Sequence, residues 1–186
     1  MGGGPARYRR AGGSSPDDAT DPIVVTENCH STTTVNSCTV WFMIVQDEII
    51  IESQASAVWA VFTDVEQWPT WTESVTSVEL LDTATLGPTS RARIKQPRFP
   101  TLLWTVTAME PGTSWSWTAR SPGATTIASH QLEALGDGRT RVVQTIDQRG
   151  PLGVLVGLLT KRLTRRYLAM EAAGLKHRVE ADVPAA

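Results

Sequence analysis

Metal-binding side chains are scarce in this sequence, with two cysteines and three histidines in 186 residues. Cys29 and Cys38 form no CxxC spacing and no disulfide framework. His30, His130 and His177 fall in a terminal stretch, a strand pattern and a helix end, without metal-ligand spacing. No HExxH, Walker loop or GxGxxG is present, and no serine stands in a nucleophile elbow. The sequence therefore predicts no metal and no cofactor. Charge of one sign is missing too: 17 Lys and Arg stand against 19 Asp and Glu, a net charge of −2. Such a chain has no basic field to draw in nucleic acid. No apolar run is long enough to cross a bilayer, which argues against stable membrane insertion. Arg7, Arg9 and Arg10 are followed by no apolar segment, so they do not open a secretory signal. A cytoplasmic location is expected.

Hydrophobic residues make up 41 % of the chain, enough for a real core. They are unevenly spread. Residues 1–42 are rich in Gly, Ser, Thr and Pro and show no period of 2 or 3.6. Such a segment buries too little apolar surface to offset its ordering entropy. It reads as a disordered tail, or as sequence upstream of a true start at Met43, which stands directly before the first patterned strand. Residues 43–180 read as one domain and 181–186 as a flexible end.

Within the domain, Ile44 to Glu52 alternates as a strand, with Val45, Ile49 and Ile51 on one face. Asp47 shares that parity and is expected at the open end of the sheet, in water, because a buried carboxylate needs a partner. Ser53 to Phe62 has the helical period, with Ser53 or Ser56 as its cap and Val58, Trp59 and Phe62 inward. Asp64 to Trp71 is a turn or short second helix limited by Pro69. Six strands follow between turn signals: Ser74–Leu81, Thr89–Gln96, Leu102–Met109, Thr113–Arg120, Thr125–Leu135 and Arg139–Gln148. Ala92, Ile94, Trp104, Val106, Trp115, Trp117, Val142 and Ile146 take the inward positions.

From Pro151 to Arg178 the period becomes helical. Leu152, Leu155, Val156, Leu159, Leu163, Tyr167 and Met170 form one stripe, predicted to face the sheet. Lys161, Arg165 and Lys176 lie opposite. The first turns are apolar all round, since Val154 and Leu158 face away from that stripe. A helix apolar on every side is covered on every side, here by cavity-mouth loops, a second subunit or a membrane surface. A homodimer or protein partner through this start of the helix is one expectation.

The order is strand, two helices, six strands, long helix. Hairpin-length connections make the sheet antiparallel, and its alternation gives one wet and one covered face. The stretches IVQDEIIIESQASAVWAVFTDVEQWPTW and GPLGVLVGLLTKRLTRRYLAMEAAGLKHRVE resemble the two ends of the START-like helix-grip (SRPBCC) superfamily, in its polyketide cyclase/dehydrase-like branch. The resemblance implies an α+β fold: a curved seven-stranded antiparallel sheet wrapped around the long C-terminal helix, two short helices after the first strand, and a cavity between sheet and helix. It also implies a hydrophobic ligand of lipid, polyketide or isoprenoid type.

The inward polar residues are the ones that could carry chemistry. A three-residue loop Gly136-Asp137-Gly138 pairs Leu135 with Arg139, which sets Leu132 opposite Val142, Ala128 opposite Ile146 and His130 opposite Gln144. His130 could act as a general acid/base, with Gln144 orienting it or binding a carbonyl. The plainer reading is a buried pair satisfying each other. Trp104, Trp115 and Trp117 could stack on a flat ligand or simply form core. Tyr167 lies on the inner helix stripe, and its hydroxyl needs a buried partner such as His130. The expected ligand-binding set is Trp104, Trp115, Trp117, His130, Gln144 and Tyr167, with His130 as the catalytic candidate. Three functions follow: binding of a hydrophobic small molecule, a cyclase/dehydrase-like enzyme, or a regulatory or toxin-like protein-binding module. The basic cluster Lys161, Arg162, Arg165 and Arg166 is read as a solvated helix face.

Overall fold

The computed structural model describes residues 25–29, 36–40 and 42–181. Val25–Cys29 (β1) and Asn36–Val40 (β2) pair antiparallel inside the stretch read from the sequence as unstructured. The remainder of the expected tail, and residues 182–186, lie outside the described residues.

The domain is built on Phe42–Ile51 (β3), Ser77–Leu80 (β4), Arg91–Lys95 (β5), Leu102–Glu110 (β6), Ser114–Ser121 (β7), Ala124–Ala134 (β8) and Thr140–Arg149 (β9). They form one antiparallel sheet in the order β3-β9-β8-β7-β6-β5-β4. The helices are Ala55–Thr63 (α1), Trp68–Trp71 (α2) and Pro151–Ala181 (α3), with a 3-10 turn at Val65–Gln67 between the first two. This is the helix-grip fold, α+β, with the long helix gripped by the sheet. Neither Ser53 nor Ser56 caps α1; Gln54 holds the N-cap position without a side-chain bond. Pro69 does not end the second helix but sits in its first turn, where a missing N–H leaves no bond unmade.

The sheet's inner face is organised in cross-strand rows. One runs Val106–Trp117–Ala128–Ile146–Val45 and the next runs Trp115–His130–Gln144–Asp47. The β8–β9 pairing has Leu135 N–H donating to the Arg139 carbonyl, and Gly136 and Gly138 both take positive φ. Register and loop therefore agree with the three-residue turn. Asp47 lies mid-strand opposite Gln144 and is half-buried, not at the sheet's open end.

The largest departure from expectation is the face α3 turns inward. Its buried residues are Gly153, Val154, Gly157, Thr164, Tyr167, Leu168, Glu171, Ala172, Leu175 and Val179. Of the predicted stripe only Tyr167 is among them. Leu152, Leu155, Val156, Leu158 and Leu159 remain 45–79 % exposed, whereas Val154 is buried. Close approach explains the rotation. A Cβ on Gly157 would stand 2.1 Å from Gln148 Oε1 and 2.6 Å from Met43 Cε, so glycine lets the helix lie this near β3 and β9 without displacing those side-chain ends. Farther along, Lys176 Nζ donates to the Ile50 carbonyl and Glu180 accepts from the Glu52 N–H, which ties the helix tail to β3. Lys176 therefore meets the sheet edge and not open solvent.

Candidate functional site

Between α3 and the sheet, beyond the close approach at Gly157, a gap remains. Helix and sheet enclose a cavity of about 340 Å³. Its floor comes from β6, β8 and β9 through Leu102, Trp104, Thr126, Ile146 and Gln148. The roof is α3, through Gly153, Val156, Thr164, Tyr167, Leu168 and Glu171. The loop after β5 closes one side with Phe99 and Pro100, and the β7–β8 turn another with Ser121 and Ala124. The aromatic walls and few polar groups are what a site for a hydrophobic molecule requires. Of the exposed aliphatic residues in the first turns of α3, Val156 borders the cavity and Leu152 lies against the Gly123 turn.

Glu171 is the polar centre of this cavity, and the sequence reading passed over it. Its side chain is buried, with 6 % of the residue exposed. Ser74 Oγ donates to Oε1 at 2.8 Å, and Gln96 Nε2 approaches the same oxygen at 3.5 Å. Gln144 Nε2 stands 3.5 Å from Oε2. These are neutral donors, and no cation offsets the lost hydration, so burial pushes the carboxyl up to about 7 while the Ser74 bond pulls slightly the other way. The signal was present in the helical spacing. Thr164, Leu168, Glu171 and Leu175 recur at steps of three and four, but a stripe drawn through the largest apolar residues hides them.

The structure divides the predicted site residues into two groups. Trp104 and Tyr167 line the cavity. Tyr167 O–H donates to the Pro97 carbonyl and its ring meets Phe99 edge-on, so its partner is the loop after β5 and not His130. Trp117, His130 and Gln144 border a separate void of about 50 Å³ deeper in the core, which Glu171 and Trp104 also touch. Trp115 belongs to the packed core: it is 1 % exposed and stacks on His130 with ring centroids 3.9 Å apart. His130 is pushed down to about 3 by burial, against a smaller opposite effect of its bond to the Trp115 backbone. It stays neutral at physiological pH, and its Nδ1 has no partner. His130 and Gln144 are cross-strand neighbours, yet the amide's hydrogen bond goes to Glu171.

Trp68 is core, with its Nε1 donating to the Phe62 carbonyl at 3.0 Å. Among the described residues, no three His, Cys, Asp or Glu side chains converge as a metal site would require. No described helix is long and apolar enough to cross a membrane.

Residues 43–180 match the family model described as polyketide cyclase/dehydrase and lipid transport. No curated protein matches the chain. Among solved structures, the Zhui aromatase/cyclase from Streptomyces sp. R1128 is similar at 16 % identity and a TM-score of 0.64, over 77 % of this chain and 97 % of that one. Norcoclaurine synthase from Thalictrum flavum, solved with dopamine and hydroxybenzaldehyde, is 11 % identical with a TM-score of 0.61, over 78 % and 91 %. A START superfamily protein from Mycobacterium smegmatis is 18 % identical with a TM-score of 0.60, over 75 % and 99 %. At these identities the likeness is one of fold.

Proposed function

Since the chain belongs to the polyketide cyclase/dehydrase and lipid transport family of the START-like superfamily, we propose that it binds a hydrophobic small molecule, of lipid, polyketide or isoprenoid size, in the cavity under α3. The observation that carries this reading is the apolar cavity itself, about 340 Å³ with one buried carboxyl at its inner end. Trp104 and Tyr167 are its ligand contacts, joined by Phe99, Leu168 and Gln148. Gln144 serves it from behind by holding Glu171. In this reading Trp115, Trp117 and His130 shape the floor from the core. Native mass spectrometry of the purified full chain, with a denatured control, is the test. A small molecule released only on denaturation supports the reading. Bare protein, together with no binding of apolar probes, argues against it.

An enzymatic form of the same reading rests on Glu171 rather than His130. A carboxyl held near 7 can give and take protons at neutral pH, whereas an imidazole at about 3 is a weak base. Its test is turnover of a polyketide-type substrate, lost in Glu171→Gln and retained in His130→Ala. We further propose that the exposed first turns of α3 are a contact surface for a second protein chain, which joins the notion of a protein-binding module to an observed apolar patch. The cytoplasm is the compartment this reading assumes.

A further inference from the structure

We infer that the polar end of the ligand is a hydrogen-bond donor, a hydroxyl or a protonated amine, received by Glu171 at the inner end of the cavity. This rests on the cavity reading above and specifies the chemistry that reading leaves open. Two buried acceptors near the cavity lack a partner, one against Gly157 at Gln148 and one in the small void behind Glu171 at Gln144. Gln148 is 8 % exposed, lines the cavity, and its Oε1 has no hydrogen-bond partner. Gln144 is 1 % exposed, and its Oε1 is likewise unpartnered beside Glu171. Buried acceptors are normally satisfied, so unpartnered ones at a cavity wall point to a donor supplied from outside the chain. Glu171 adds two carboxyl oxygens.

Cationic side chains are missing from the wall, whose donors are the neutral hydroxyls of Ser121, Thr126 and Thr164 and the amides of Gln96 and Gln148. Among the described residues lining the cavity there is no lysine, arginine or histidine, and the Tyr167 hydroxyl is already given to Pro97. A ligand carboxylate or phosphate would therefore enter a low-dielectric site with an acid at its end and no cation to meet it. A fatty acid or phospholipid headgroup does not fit there. A hydroxyl fits because it donates to an acceptor that lacks a partner. An ammonium fits because it would face Glu171 within an aromatic wall of Trp104, Phe99 and Tyr167.

The test is a matched series on one rigid, optically silent cage: 1-adamantanol, 1-adamantanamine and 1-adamantanecarboxylate, titrated into the full chain at pH 7.5. Tryptophan fluorescence, with Trp104 in the cavity wall, reports binding. The alcohol or the amine is expected to bind at least tenfold more tightly than the carboxylate. If the natural donor is an ammonium, the amine leads and Glu171→Gln weakens it more than tenfold while leaving the alcohol within threefold. If it is a hydroxyl, the alcohol leads, and Glu171→Leu rather than Glu171→Gln removes its advantage. Glu171→Gln keeps an acceptor for Ser74, so it serves if the leucine variant fails to fold. Equal or tighter binding of the carboxylate overturns the inference and leaves the cavity reading standing. An unchanged preference in both variants overturns the role of Glu171. Failure of all three compounds overturns the inference and the cavity reading together.

Discussion

Glu171 and His130 are the two buried titratable groups that border one small void, and burial moves them in opposite directions. Glu171 normally titrates at 4.5 and is raised to about 7. The folded state keeps a proton there that the unfolded chain has already released. Its stabilising contribution is full below about pH 4.5 and is lost as pH rises through about 7. His130 normally titrates at 6.5 and is lowered to about 3. The unfolded chain gains a proton that the folded one refuses, so stability falls as pH drops from 6.5 towards 3. Between 4.5 and 6.5 the two slopes oppose each other. Thermal unfolding should therefore be nearly flat with pH across that window and decline on both sides. Glu171→Gln should abolish the decline above pH 6.5, which levels off past about 7, and gain about 3 kcal/mol over the parent at pH 8, taking about 1.4 kcal/mol per pH unit between 4.5 and 7. A parent protein whose melting temperature rises over that range would contradict the assignment. The His130 ring resonances should show no titration between pH 5 and 8 in an NMR pH series. A midpoint near 6.5 would mean that the ring reaches water.

At the scale of elements, two glycines of α3 make different demands. A Cβ on Gly174 would stand 2.2 Å from the Trp71 carbonyl oxygen, which is backbone and cannot turn aside. At Gly157 the obstacles are the ends of the Gln148 and Met43 side chains, which can. Both substitutions gain helix propensity of about 1 kcal/mol. Gly157→Ala should come out within about 1–2 kcal/mol of the parent, and Gly174→Ala should lose about 3 kcal/mol or more as α2 is forced off α3. Urea unfolding of the two variants ranks them, and the reverse order would mean that α2 yields easily. These glycines also explain what the sequence conceals. Strand order, the β8–β9 register and the inward tryptophans were legible because a period of 2 admits only two faces, and Gly136-Asp137-Gly138 fixes which residues meet. A helix offers a continuum of faces. The one facing the sheet in α3 is chosen by close approach at Gly157 and by a buried acid, neither of which an apolar stripe marks. Hence Tyr167 was found and Glu171 was not. Trp115 and His130 have the inward parity of true cavity residues, but parity cannot tell a cavity wall from a filled core.

Across the whole molecule, apolar surface and charge are used differently. Seven ion pairs among the described residues lie at the surface, most with both partners between about a third and two-thirds exposed. Such exposed pairs contribute little to stability and are screened by salt. Stability resides instead in the aromatic core, where Phe62 is fully buried among Trp68, Trp115 and His130. Raising NaCl from 0.05 to 1 M should move the melting temperature by no more than about 3 °C, whereas Phe62→Ala should cost about 3–5 kcal/mol. With the core elsewhere satisfied, the five aliphatic side chains exposed on the first turns of α3 are not explained by folding. Leu159, at 79 % exposure, is the most open of them. Contiguous apolar surface of this kind marks an interaction site. If the partner is a second copy of this chain, sedimentation velocity should show concentration-dependent dimerisation, and Leu155→Glu with Leu159→Glu should return it to monomer with an unchanged melting temperature. Those glutamates leave the buried face of Gly153, Gly157, Thr164 and Leu168 untouched, so a lowered melting temperature would instead show that these leucines help close the cavity. A parent that stays monomeric at high concentration would leave a different protein as the partner, to be sought by cross-linking from position 159.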